Sequence, residues 1–185
     1  KNLLLTGRPG VGKTTIVRKV VEQLGPRTCG FFTEEIREES RRTGFKIITT
    51  DGREAILAHI HVRSPHRIGR YGVSAEGMRQ LAIPTLLLAL KNAGAIVIDE
   101  IGRMELISPE FEGAVLECLD SPRPVVAVIQ MVDLPFLNRI RARPDVEVIE
   151  VTLPNRDALP AYVMTRLQEL LKARGGPSKA KRPFS

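Results

Sequence analysis

The stretch Gly7-Arg8-Pro9-Gly10-Val11-Gly12-Lys13-Thr14 sits between the apolar run Leu3-Leu4-Leu5 and a segment, 16–24, with helical spacing. It fits Gly-x-x-x-x-Gly-Lys-Ser/Thr, which requires strand, loop and helix in that order. A loop that wraps a polyphosphate must bring successive backbone N–H groups to the oxygens, and side chains at Gly7, Gly10 or Gly12 would obstruct that approach. The helix that follows aims its first N–H groups at the same anion. Lys13 adds a mobile charge for the β- and γ-phosphates, and the Thr14 hydroxyl is suited to ligating Mg²⁺.

The remaining chain reads as strands alternating with helices. A strand at 1–6 and a helix at 11–24, stopped by Gly25-Pro26, lead to a strand at 29–37. The segment 38–73 has a different texture: β-rich runs at 45–50 and 55–62 flank Asp51-Gly52, a strong hairpin signal, and 70–73 is a further short strand. This predicts an antiparallel insertion on the edge of a parallel core. A helix follows at 75–93, kinked or interrupted at Pro84. Beyond it come strands at 95–100, 125–129 and 146–151 and helices at 109–119, 134–142 and 157–173, a mostly parallel sheet with helices on both faces.

The run Ile96-Val97-Ile98-Asp99-Glu100 is the partner such a loop needs. A buried strand carries Asp99 to its carboxyl end, where ligands bind in open α/β sheets, and there the carboxylate can hold Mg²⁺. Glu100 beside it is a candidate general base or water-orienting group. Proteins with this loop that carry the catalytic glutamate next to the Mg²⁺ aspartate usually place another strand between the two site strands, in contrast to the nucleotide-kinase-like order in which those two are adjacent. The expected fold is therefore an α/β P-loop three-layer sandwich with core order 5-1-4-3-2, RecA-like, counting strands at Leu3, Gly30, Ile96, Val125 and Val146.

The net charge of +7 raises the question of nucleic acid until it is located. Five of the twenty-eight basic residues and none of the acids lie in 172–185, leaving 23 against 21 elsewhere. The chain reads as a single domain over 1–174 with a basic, disordered tail at 175–185. That tail has no aromatic but Phe184, so nucleic acid is not the expected partner. The apolar stretch 81–98 is broken by Pro84, Lys91, Asn92 and Gly94, which argues against a membrane span. Leu3-Leu4-Leu5 is too short for the core of a signal peptide. Cys29 and Cys118, in no metal or redox spacing, fit a reducing cytoplasm. Only four Asn and four Gln occur against twenty Arg, a bias found in heat-adapted proteins.

Three stretches together resemble one family: Gly-Arg-Pro-Gly-Val-Gly-Lys-Thr-Thr at 7–15, Gly-Phe-Phe-Thr-Glu-Glu-Ile-Arg at 30–37 and Val-Ile-Asp-Glu-Ile-Gly-Arg-Met-Glu at 97–105. They look like the thermophile nucleoside-triphosphatases, whose human relative is called cancer-related nucleoside triphosphatase. The likeness continues through Arg141-Ala142-Arg143-Pro144-Asp145-Val146 and 151–157. It implies Mg²⁺-dependent hydrolysis of nucleoside triphosphates to diphosphates with broad base tolerance; a monomer or weak oligomer is the separate expectation for its assembly. Carried over by position, it places the nucleotide on Gly7, Arg8, Pro9, Gly10, Val11, Gly12, Lys13, Thr14 and Thr15, and on Ile98, Asp99, Glu100, Ile101, Gly102, Arg103, Met104 and Glu105. Thr14 and Asp99 would hold Mg²⁺, Lys13 would stabilise the transferring phosphoryl and Glu100 would position water.

Asn155 and Arg156 are candidates to flank the base, although Asn155 also suits a cap. Arg141 or Arg143 is expected to supply a transition-state charge, with a solvated face as the bland alternative. Thr33, Glu34 and Gln130 are weaker candidates at strand ends. His59, His61 and His66 lack a metal-ligand pattern. Two other functions stay open at this level: a kinase with its acceptor in the 38–73 insertion, and a nucleotide-switched module that engages nucleic acid through the tail.

Overall fold

The computed structural model describes residues 2–172. The strands are β1 (Asn2–Thr6), β2 (Thr28–Glu38), β3 (Arg41–Thr49), β4 (Glu54–His59), β5 (Arg67–Ile68), β6 (Tyr71–Val73), β7 (Ala95–Ile101), β8 (Val125–Ile129) and β9 (Val146–Glu150). The helices are α1 (Lys13–Leu24), α2 (Ala75–Gly77), α3 (Ile83–Asn92), α4 (Pro109–Asp120), α5 (Pro135–Arg141) and α6 (Leu159–Lys172).

All these strands join one sheet in the order β5-β6-β4-β3-β2-β7-β8-β1-β9. The run β9-β1-β8-β7-β2 is parallel throughout. It is the 5-1-4-3-2 order expected from the adjacent Asp99 and Glu100, with β8 between the loop strand and the aspartate strand. Strand alternation divides the core between two faces. Leu4, Phe31, Ile96, Ile98, Val125 and Ala127 point toward α3, α4 and α5. Leu3, Leu5, Val97, Val126 and Val128 point toward α1 and α6. Both faces of the central strands are thus apolar, as parallel strands under two helical layers require.

The insertion is antiparallel as expected, but it begins earlier. Strand β2 runs on past the core and turns at Glu39 and Ser40, with φ of 46° and 65°, to pair with β3. Two successive residues at positive φ form the tight hairpin that follows strand twist, here without the Asn-Gly that usually marks it. The Asp51-Gly52 turn joins β3 to β4, and Gly52 has φ 88°. At Pro84 the helix is interrupted: α2 passes into a π-helical turn, Met78–Ala82, before α3 resumes with the proline in its first turn. A proline offers no N–H to the preceding turn, so the wider turn lies where the regular ladder cannot.

Candidate functional site

Residues 7–12 connect β1 to α1. Gly7 has φ 145°, and a β-carbon there would meet the Val151 carbonyl oxygen at 2.6 Å. That carbonyl is fixed because the Val151 N–H donates to Thr6 O at 2.8 Å, so the end of β9 clamps the root of the loop. Gly12, at φ 112°, turns the chain into α1, which has no side-chain cap and no acid in its first turn. The first N–H groups of the helix therefore face an anion with nothing of the protein's own competing for them. The Lys13 ammonium donates to Gly7 O and Arg8 O, both at 2.9 Å, and is parked across the loop.

Strand β7 delivers Asp99 beside this loop. The residue is 2% exposed, and the Thr14 hydroxyl lies near enough to its carboxylate to favour the charged form. Burial pushes the Asp99 carboxyl up to about 7, against the pull of that hydroxyl. Its Oδ2 has no hydrogen-bond partner. A buried carboxylate oxygen left orphaned is costly, and a hard divalent cation is the group that suits it. Mg²⁺ takes few protein ligands and keeps water and phosphate oxygens, so Thr14 and Asp99 fit it. No group of three or more His, Cys, Asp or Glu placed to hold a metal occurs among the described residues, the histidines included. The Thr33 hydroxyl donates to Asp99 O at 2.8 Å and braces the strand end.

Glu100 lines the cleft, and burial raises its carboxyl while Lys13 opposes the shift. Around Gly102 three side-chain oxygens converge: a β-carbon there would lie 3.1 Å from Glu100 Oε1 and Glu105 Oε2 and 3.2 Å from Gln130 Oε1. A β-carbon there would crowd them, so each side-chain end would have to give way by a few tenths of an ångström. Glu105 is 2% exposed and its carboxyl is held well above the usual range by burial and by the Glu100 charge. The Arg103 N–H donates to Gln130 Oε1 at 3.0 Å, tying the turn after β7 to the end of β8. The cleft so formed has a volume of about 640 Å³. Its far wall comes from the insertion, with Glu35, Arg42, Phe45 and Ile68. No pattern within 38–73 marked that wall beforehand.

Several expected contacts are placed otherwise. Ile98 and Ile101 are fully buried in the core facing α3 and α4, so they support the strand rather than meet a ligand. Both ends of the Asn155 amide are taken by backbone, Oδ1 accepting from Thr152 N at 2.8 Å and Nδ2 donating to Glu150 O at 2.9 Å. The residue builds a turn instead of flanking a base. Its neighbour Arg156 does lie against the loop, with Cδ 3.8 Å from where a Gly12 β-carbon would be. Glu34 is spent on an ion pair with Arg18.

The expectation for Arg143 is corrected outright. Its guanidinium holds Asp145 at 2.8 Å and Asp120 at 2.6 Å, and Asp145 in turn accepts from the Asn2 side chain at the start of β1. That is the amino-terminal end of the parallel strands, the end opposite the phosphate loop. Arg141 also departs from its expected role: it donates to Val132 O, Gln130 O and Asn138 Oδ1, bracing the loop after β8. Arg143→Ala should lower the melting temperature by about 3–6 °C, from about 1–2 kcal/mol of lost ion pairing. It should leave turnover per folded enzyme unchanged in a steady-state assay.

Comparison with known proteins agrees with this geometry. A family model described as NTPase matches residues 2–164. Nucleoside-triphosphatase THEP1 of Thermotoga sp. is 42% identical over 166 residues, 90% of this chain and 95% of that protein. The crystal structure of THEP1 from Aquifex aeolicus superposes with a TM-score of 0.85 at 42% identity, covering 91% of this chain and 99% of that one. The solution structure of a human cancer-related nucleoside triphosphatase gives 0.80 at 37% identity, covering 91% and 98%. With a family model matching residues 2–164 and a relative 42% identical over 90% of this chain and 95% of its own, the chain belongs to the nucleoside-triphosphatase family of THEP1.

Proposed function

We propose that this protein hydrolyses nucleoside triphosphates, ATP and GTP among them, to the diphosphate and phosphate with Mg²⁺. The juxtaposition of the buried Asp99 and its orphan oxygen with the Thr14 hydroxyl, at the uncapped start of α1, supports this above all. The loop amides and Lys13 bind and orient the β- and γ-phosphates. Bound through Thr14 and Asp99, Mg²⁺ would neutralise phosphate charge. Glu100 holds the attacking water and takes its proton as the water oxygen bonds to the γ-phosphorus. The bond from that phosphorus to the β–γ bridging oxygen breaks, and the bridging oxygen leaves on the diphosphate.

The Asn155 amide is engaged at both ends by backbone, so its first role is to build the turn after β9. The relatives' names speak for hydrolysis rather than transfer to an acceptor or nucleotide-switched binding of nucleic acid. The basic tail at 175–185 lies outside the described residues. No described helix is long and apolar enough to cross a membrane.

The test is phosphate release from a panel of nucleoside triphosphates, with and without Mg²⁺, a nucleoside monophosphate and polynucleotides. Release with nucleotide and Mg²⁺ alone, similar across bases, is the expected result. Release that needs an added monophosphate, with the diphosphate of that acceptor appearing, would replace hydrolysis by transfer.

A further inference from the structure

Among the described residues, one cation that lines the cleft beside the phosphate loop has no partner in the protein. Asp99, Glu100 and Glu105 gather there, and the cleft's own cations are Lys13, Arg42 and Arg103. Arg42 is committed, since its guanidinium pairs with Glu35 at 2.8 Å and hydrogen-bonds the Tyr71 hydroxyl at 3.0 Å. Arg103 is different. Its backbone N–H is pinned to Gln130 Oε1, and the buried Gly102 sets the turn immediately before it. Its side chain is exposed, lines the cleft with Lys13 and Glu100, and makes no hydrogen bond or ion pair with any described residue.

A guanidinium whose backbone is fixed beside the cleft by the Gln130 contact, and whose head is left unpaired there, is available to an anion that the protein does not itself supply. Neighbouring arginines lack that combination. Arg141 is spent on loop carbonyls, Arg143 lies at the opposite end of the parallel strands, and Arg156 stands beside Gly12 with Asp157 3.8 Å away. We propose that Arg103 is a catalytic residue that supplies, from within the chain, the charge on the γ-phosphoryl oxygens and the leaving bridging oxygen as the phosphorus–oxygen bond breaks. This rests on hydrolysis at this site. A planar, always-charged fork suits oxygens that share developing charge, and such an arginine is worth about 10³ or more in turnover.

The test compares Arg103→Ala and Arg103→Lys with the parent. Single-turnover phosphate release gives the chemical step, and a non-hydrolysable triphosphate analogue and Mg²⁺–ADP–aluminium fluoride give the two affinities. For the alanine variant we expect release about a thousandfold slower, analogue affinity within threefold of the parent, and aluminium fluoride affinity reduced by about two orders of magnitude. The lysine variant should recover part of the rate. Preserved analogue binding reports that the variant is folded. An alanine variant with release within threefold of the parent overturns the assignment, and so does a loss of analogue affinity as large as the loss of rate. A parent that releases no phosphate overturns the hydrolytic function together with this role, whereas an active parent with an unimpaired alanine variant overturns Arg103 alone.

Discussion

Glu100→Gln is expected to lower turnover by about 10³ while nucleotide affinity stays within threefold, because the change removes a base and almost nothing else. The two side chains have the same shape, so the contacts around Gly102 survive and the amide still accepts a hydrogen bond from water. An amide cannot take the proton that the water must lose. Glu100 also carries a burial cost, which raises its carboxyl and is opposed by Lys13. Replacing it should leave the fold intact or slightly more stable. Rate and affinity are read separately from single-turnover release and analogue binding. A Gln variant that turned over at the parent rate would remove Glu100 from the chemistry and move attention to Glu105.

The sheet order was legible because two local facts constrain it together. The glycine loop fixes β1 and α1 at the site, and adjacent Asp99 and Glu100 match a topology with a strand between β1 and β7. The two-faced core follows from the apolar runs 3–5, 96–98 and 125–129, which have no polar face to leave in water. The β2–β3 hairpin was missed because its turn residues, Glu39 and Ser40, are ones that seldom adopt positive φ. The structure there is imposed by the pairing of the strands and not by turn chemistry. The arginines were misjudged for a similar reason. Which carboxylate or carbonyl a long side chain reaches depends on elements distant in sequence, as Arg143 reaches Asp120 across β8 and α5. Only the fold separates arginines already engaged, as Arg141 and Arg143 are, from Arg103, whose head is left to the cleft. The cleft wall formed by Arg42 and Phe45 is likewise set by strand pairing, of β3 with β2 and of β2 with the distant β7.

Lys13→Met should be the most damaging change to binding. The ammonium donates to Gly7 O and Arg8 O, at 2.9 Å each, and so offsets the carbonyls of a loop whose amides attract anions. When phosphates enter, the same group can exchange those carbonyls for oxygens of full negative charge, which is a net gain without a long excursion. Methionine keeps the length and apolar stem but loses both functions. A pair of unit charges near a protein surface interacts by about 4 kcal/mol at 4 Å, which sets the scale at about a 10²- to 10³-fold loss of triphosphate affinity. Thermal shift gives a direct reading. At a nucleotide concentration of about 100 times the parent's dissociation constant the parent gains about 2.7 kcal/mol, while the variant should gain less than about 0.5. Because Thr14, Asp99 and the glycines are untouched, its melting temperature without nucleotide should stay within a few degrees of the parent's. If the variant retained the full nucleotide-induced shift, the loop amides alone would account for binding and Lys13 would act only on the transition state.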